Sequence, residues 1–186
     1  MSRGARIQTR RLRLRSWRKG DVERFHSACN TPEVMLWLGG VQTKKQLRQD
    51  VAYFAAMEMR EGFTFWVVER RRDNAFLGFV GIIRIDEEDC PFVGEVEVGW
   101  RLRQSVWRRG YGFEAASAVL DYAFVDVGLE RLVSRTAKCN AASIALMRKL
   151  GMKRRRRLDY KPLGASRKLA VFSITAEQWL ARRKRR

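Results

Sequence analysis

The chain has 186 residues, 46% of them hydrophobic, and carries 39 Lys and Arg against 20 Asp and Glu. That length and apolar content suit one domain with its own core, and no window approaches the roughly 18 consecutive apolar residues a membrane span needs. Three cysteines without C-x-x-C spacing (Cys29, Cys90, Cys139) and a single histidine, His26, suggest no disulfide framework, no zinc site and no multi-histidine metal centre. The expectation is a metal-free protein of the reducing cytoplasm, with no membrane partner. The N-terminus is basic but lacks the apolar segment of a secretory signal.

The net charge of +19 is unevenly spread. Residues 1–19 hold 8 Lys and Arg, residues 153–157 hold 5 and residues 182–186 hold 5, with no acid among them. Setting those 18 aside leaves 21 of the 39 basic residues against 20 acidic ones, so the body of the chain is near neutral. Blocks of this kind either track phosphates and acidic proteins or form a solvated strand face, a loop and a frayed tail.

In chain order, residues 1–10 read as a flexible basic leader. Residues 11–15 alternate as a half-buried strand, with Leu12 and Leu14 inward and Arg11, Arg13 and Arg15 outward. Val22, Phe25 and Cys29 have helical spacing, and that helix stops before Pro32, because the residue preceding proline is pushed out of the α region. Residues 34–41 read as a loop with a helical turn. Thr43 and Gln46 have capping-box spacing ahead of the stripe Leu47, Val51, Phe54 and Met57, and Gly62 ends that helix. Residues 63–69, 76–85 and a run starting near Val93 read as an antiparallel meander.

The third run, Glu95-Val-Glu-Val-Gly-Trp100, alternates strictly, with both glutamates on one side. A basic turn holding Gly110 and Gly112 follows, and then an amphipathic helix that Gly128 stops. Further on come a short strand (131–136), a helix (141–150) closed by Gly151, strand candidates at 152–160 and 168–174, and a last helix behind the capping-box spacing of Thr175 and Gln178. Without a repeat or composition break, the chain reads as one α+β domain over 11–180, its mixed sheet mainly antiparallel with helices on both faces, followed by a basic tail at 181–186.

The glycine turn invites an anion. Unpaired backbone N–H groups in a helix's first turn point outward, and the helix dipole adds partial positive charge there. A dinucleotide fingerprint would need a third glycine where Phe113 and Glu114 stand, and a P-loop needs Gly-Lys-Ser/Thr; neither fits. By itself the turn is as compatible with a plain helix entry as with a ligand loop.

Several motifs together resemble one family. Trp107-Arg-Arg-Gly-Tyr-Gly-Phe-Glu114 resembles the acetyl-CoA loop of the GCN5-related N-acetyltransferases (GNAT), in particular the branch that acetylates N-termini of ribosomal proteins. Thr9-Arg-Arg-Leu-Arg-Leu-Arg15, Glu97-Val-Gly-Trp100 and Asn140-Ala-Ala-Ser-Ile144 through Lys149-Leu-Gly-Met152 match the same branch in the family's order. The resemblance implies a single-domain GNAT fold with about seven strands and acetyl-CoA as co-substrate. It further implies that Trp100 and Leu102 pair through their backbone with the pantetheine arm. Amides of Arg108, Arg109, Gly110, Tyr111 and Gly112 would hold the pyrophosphate, with the two arginines adding charge, and Asn140 would bind or orient the pantetheine.

Glu97 is the first candidate for general base and Glu95 the second, against the alternative of two solvent-facing strand carboxylates. Where many members have a catalytic tyrosine this chain has Met147, which cannot donate a proton, so the resemblance makes Ser143 the substitute acid; a helix cap is the alternative. Gln104 stands where the family usually has proline. Cys139, with no histidine near it in sequence, is a poor covalent relay.

The acceptor expected is a primary amine, foremost a protein N-terminal α-amine, because a lysine near pKa 10.4 costs about 3 kcal/mol more to deprotonate than an α-amine near 8. A small-molecule acceptor (amino acid, polyamine or antibiotic) is an alternative. So is a non-catalytic module of the same fold binding RNA or the ribosome through the basic blocks. In the family, residues 30–41 and the loop around Pro162 and Gly164 choose the acceptor, with Trp37 and Tyr160 as wall candidates. A homodimer is left open.

Overall fold

The structure, a computed structural model, describes residues 7–184; most of the expected leader (1–6) and the last two residues of the basic tail lie outside the described residues. Strands β1 (Ile7–Gln8) and β2 (Leu12–Arg15) form a hairpin, followed by helices α1 (Asp21–Cys29), α2 (Pro32–Met35) and α3 (Lys44–Glu61). The meander comprises β3 (Phe65–Arg70), β4 (Ala75–Arg84) and β5 (Val96–Leu102). Helix α4 (Tyr111–Asp121) leads to β6 (Arg131–Ala137), and α5 (Ala141–Leu150) to β7 (Lys153–Arg154), β8 (Leu169–Thr175) and α6 (Ala176–Arg183). The eight strands lie in the order β1-β2-β3-β4-β5-β6-β8-β7, antiparallel at every neighbour except β5–β6.

Alternation along β4 sorts side chains to the two faces. Val80 and Ile82 join α4, α5 and α6 residues such as Val119, Leu150 and Trp179 in one core. Phe79 and Ile83 join Phe25 and Cys29 of α1 with Leu47, Phe54 and Met57 of α3 in the other. Helix ends follow local chemistry. Thr43 Oγ1 accepts from Gln46 N at 3.2 Å while Gln46 Oε1 accepts from Thr43 N at 2.8 Å, and Thr175 with Gln178 repeats the box. These reciprocal bonds satisfy donors that a helix start leaves open.

Four expectations need correcting. Ile7 and Gln8, read as leader, pair with Leu14 and Arg13 and bring the strand count to eight. Proline does end α1 but also opens α2, with Thr31 as its cap. The run 152–160 forms a strand only over Lys153–Arg154, then a 3₁₀ turn (Arg156–Leu158) and an isolated bridge from Tyr160 to Leu169.

Fourth, Arg15 does not face solvent. It is 2% exposed, its guanidinium bonded to Asp21 at 2.6 Å and to Glu69 at 2.5 Å, with Arg24 adding a bond to Glu69 at 2.9 Å. Alternation gave the right face, but α1 covers that face. Burial works against the Glu69 carboxylate, yet Arg15 and Arg24 outweigh it and hold Glu69 below the usual carboxylate range. Removing one member of such a buried set costs about 3–5 kcal/mol, because the remaining charge is stranded.

Candidate active site

The site is set by where the sheet comes apart. Strands β5 and β6 share a single register position, Glu97 opposite Val133, whereas β5 pairs with β4 along its whole length. Beyond Glu97 the two strands diverge, so the β6-facing edge of residues 98–102 has no strand beside it among the described residues. An unpaired edge offers N–H and C=O groups to another extended, amide-bearing chain. At Gly99 a Cβ would lie 2.9 Å from Phe65 Cζ, so any side chain there would require the Phe65 ring to shift.

The turn after β5 is shaped for close approach. Trp107 Nε1 donates to Leu102 O at 2.7 Å, and the backbone then enters the left-handed region at Arg108 (φ 58°) and Gly110 (φ 78°). At Gly110 a side chain would cost about 1–2 kcal/mol, and the glycine brings no side-chain cap to α4. First-turn amides of α4, at Tyr111 and Gly112, are therefore not claimed by a capping group. Arg108 and Arg109 are exposed and make no ion pair among the described residues.

Behind the turn stands Glu114. It accepts from Thr9 Oγ1 at 2.6 Å, Arg11 N at 2.9 Å and Arg11 Nε at 2.5 Å. Arg11 in turn donates to Arg109 O at 3.1 Å and lies 4.3 Å from the centroid of the buried Tyr111 ring. Burial opposes the Glu114 carboxylate, but the Thr9 and Arg11 donors hold it below the usual range. Tyr111 thus offers a ligand its amide rather than its phenol.

The two glutamates part company. Glu95 precedes β5 and pairs with Arg131 at the surface. Glu97, its side chain 12% exposed, sits on the shared rung and accepts from Arg135 Nε through Oε2 at 3.0 Å. The Arg135 backbone N–H adds a further hydrogen bond to the same carboxylate. Burial pushes the Glu97 carboxyl up and Arg135 pulls it back only in part, so the net shift is upward.

Across the opening, Trp100 Nε1 donates to Ser143 Oγ at 3.3 Å. An indole N–H only donates, so Ser143 must accept, and its own O–H is left to donate elsewhere. Asn140 caps α5 by accepting from Ser143 N at 3.2 Å and donates to Thr136 Oγ1 at 2.9 Å, leaving one amide hydrogen in hand. Met147 is 1% exposed within the core. The segments expected to choose the acceptor meet: Arg167 stacks 4.7 Å from the Trp37 ring centroid, and Asn30 and Gln42 close the first segment with reciprocal bonds of 2.7 and 2.9 Å.

Sequence reasoning overlooked Arg135. A faint signal existed in two arginines on β6, Arg131 and Arg135, against two glutamates, Glu95 just before β5 and Glu97 on it. The spacings differ, four residues against two, so the pairing is not legible from either strand alone.

A strand opening beside a helix N-terminus without a side-chain cap has the shape to take an extended, amide-bearing ligand that ends in an anion. Residues 11–153 match the family described as Acetyltransferase (GNAT) domain. The chain belongs to the GNAT acetyltransferases. YkkB of Bacillus subtilis is 31% identical over 153 residues, covering 82% of this chain and 87% of that protein. The crystal structure of the acetyltransferase from Agrobacterium tumefaciens superposes with a TM-score of 0.77 at 24% identity, covering 94% of this chain and 95% of that one. Spermidine N-acetyltransferase from Vibrio cholerae, solved in complex with CoA and spermine, gives 0.71 at 18% identity, covering 92% and 99%. Among the described residues no helix is long and apolar enough to cross a membrane.

Proposed function

We propose that the chain transfers the acetyl group of acetyl-CoA to a primary amine by direct attack on the thioester, with a protein N-terminal α-amine of the ribosomal-protein type as acceptor. The observation that carries the reading is the opening itself: β5 and β6 meet at a single rung, with Glu97 on it, and Ser143 accepts from Trp100 beyond it. The groups present suit the co-substrate. The free edge of residues 98–102, Trp100 and Leu102 included, offers amide pairing to pantetheine, with Asn140 holding one spare N–H. Arg108, Arg109 and the amides from Gly110 to Gly112 suit a pyrophosphate. Acetyl-CoA supplies the activated acyl carbon.

The chain's part is proton and charge handling. A β5 N–H polarises the thioester carbonyl. Glu97, directly or through one water, takes a proton from the acceptor ammonium; the neutral amine then forms the C–N bond, and Ser143 O–H hydrogen-bonds the departing CoA thiolate as the C–S bond breaks. Glu95, occupied by Arg131, is the lesser candidate for base.

Two features favour an α-amine over a polycation. Of the four acids at 86–89 in the turn between β4 and β5, three are held by partners within the protein, Asp86 by Tyr53, Glu87 by Arg135 and Asp89 by the Leu163 amide, rather than presented to a polyamine. The rim segments expose Leu36, Leu38, Val41 and Leu163, a surface suited to an extended peptide. Docking of an RNA-associated acceptor would fall to Arg10, Arg18, Lys19, Lys153, Arg155, Arg156 and Arg157, since Arg11, Arg15 and Arg154 pair with carboxylates.

A thiol-release assay with acetyl-CoA and a panel of peptide N-termini, Nα-blocked lysine peptides, amino acids and polyamines tests this. Turnover should be greatest with peptide N-termini. Turnover confined to polyamines or other small amines overturns the acceptor assignment, and none with any amine sinks the transfer reaction itself.

A further inference from the structure

We infer that Arg135 is a positioning residue for the proposed base, fixing the orientation and ionisation of Glu97 through a three-sided clasp with Glu97, Glu87 and Tyr160. The inference rests on Glu97 being the base. Arg135 lies on β6 two residues past the shared rung, and its planar fork spends a different edge on each partner. Nε donates to Glu97 Oε2 at 3.0 Å, Nη2 to both oxygens of Glu87 at 2.6 and 2.7 Å, and Nη1 to the Tyr160 hydroxyl.

Those partners come from three separate elements: β5, the turn between β4 and β5, and the segment before β8. Tyr160 is itself wedged against Phe92, with ring centroids 5.5 Å apart. The guanidinium is thus held from directions that do not depend on Glu97. It can impose one orientation on the carboxylate, through the bond from Nε to Oε2.

The charges facing Glu97 act in opposite senses. Burial raises its carboxyl, Arg135 favours the ionised form, and Glu87 disfavours it. Tyr160 is pushed up chiefly by burial, so its phenol stays neutral and contributes geometry rather than charge. Burial pulls Arg135 down, but Glu97 and Glu87 outweigh it and keep the guanidinium charged.

These signs yield a test that a scaffolding role alone would not pass. With one acceptor amine throughout, the acidic limb of the kcat/KM–pH profile is compared among variants, so the amine's own titration is common to all. Arg135→Gln should move the limb to higher pH by about one unit or more, as expected when an opposite charge within hydrogen-bond reach is lost. Arg135→Lys should restore most of that displacement. Glu87→Gln should move it the other way, by less, and Tyr160→Phe should lower kcat a few-fold with the limb in place.

Thermal midpoints are recorded for each variant. If Arg135→Gln does not fold, Glu87→Gln and Arg135→Lys carry the comparison. Limbs that coincide in all folded variants, while Glu97→Gln is inactive, overturn the assignment of Arg135 and leave Glu97 as base. Full activity in Glu97→Gln overturns the base itself.

Discussion

The two ends of the site treat charge in opposite ways. Around Glu97 the protein supplies its own counter-charges: Arg135 engages Glu97 and Glu87 together, and Glu95 has Arg131. At the turn before α4 it withholds them: Arg108 and Arg109 make no ion pair among the described residues, and Gly110 leaves the helix uncapped. A group that must keep one orientation through every turnover is best fixed by permanent partners. A surface that must bind and release a polyanion is best left unsatisfied until the polyanion arrives, since internal carboxylates there would compete with it. Even the one acid in the first turn of α4, Glu114, is bound by Thr9 and Arg11, so its charge is already engaged within the protein.

If that division is real, substitutions at the two ends should separate kcat from KM. The largest effect is expected at the saturated end. Glu97→Gln should lower kcat by about 10²-fold or more, the range for a lost general base, while acetyl-CoA affinity measured by calorimetry stays at the wild-type value. Comparable losses in both would mean that the two ends are not separable. The same carboxyl is raised by burial, so it protonates at a higher pH than an ordinary glutamate. Activity should accordingly fall on the acid side above the usual carboxylate value of about 4.3, and that limb should vanish in the residual activity of Glu97→Gln.

At the unsatisfied end the signature reverses. Replacing Arg108 and Arg109 together by Ala should raise the KM for acetyl-CoA about tenfold, the scale of charge-assisted hydrogen bonds, with kcat little changed. Because both arginines are exposed, the gap between wild type and variant should narrow as salt rises, the Debye length falling from about 10 Å at 0.1 M to about 3 Å at 1 M. A KM unaffected by salt would place the pyrophosphate elsewhere. Ser143→Ala should be milder, lowering kcat about fivefold, near the value of one neutral hydrogen bond. Trp100→Phe, which removes the donor but spares the hydroxyl, should lower it less.

How legible each end was in the sequence follows from the same contrast. The turn could be read because its chemistry is local: Gly110, Gly112 and the two arginines are consecutive. Helix ends could be read for the same reason, as Thr43 with Gln46, Gly62, Gly151 and Thr175 with Gln178 show. The clasp at Glu97 could not, because Glu87, Glu97, Arg135 and Tyr160 are joined only by folding across 73 residues of chain.

Arg15 was misread because alternation tells which side chains share a face, not whether a helix covers it. Ile7–Gln8 is too short to alternate at all. The run 152–160 read as a longer strand than forms, since residues 156–158 turn in a 3₁₀ helix. Divergence of β5 from β6, on which the site depends, has no counterpart in either strand's own pattern.

Glu114 offers the finest test of the contrast, because it is a saturated group placed directly behind the unsatisfied turn. Its carboxyl, 18% exposed, is held below the usual range by Thr9 and Arg11 despite burial. A carboxyl lowered on folding contributes stability that is present above its unfolded pKa of about 4.3 and is lost as pH falls toward its folded value. Glu114→Gln should therefore unfold more easily than wild type by about 1–2 kcal/mol at neutral pH, the worth of hydrogen bonds to a partly exposed charge. The difference should shrink as the pH is lowered below that unfolded value. Denaturant titrations at neutral and acid pH measure both. Arg11 also bonds Arg109 O, so freeing it should loosen the turn and raise the acetyl-CoA KM a few-fold without touching kcat. A stability loss with an unchanged KM would show that Glu114 braces the hairpin alone; a raised KM without one would show that the brace serves to aim the α4 amides at their anion.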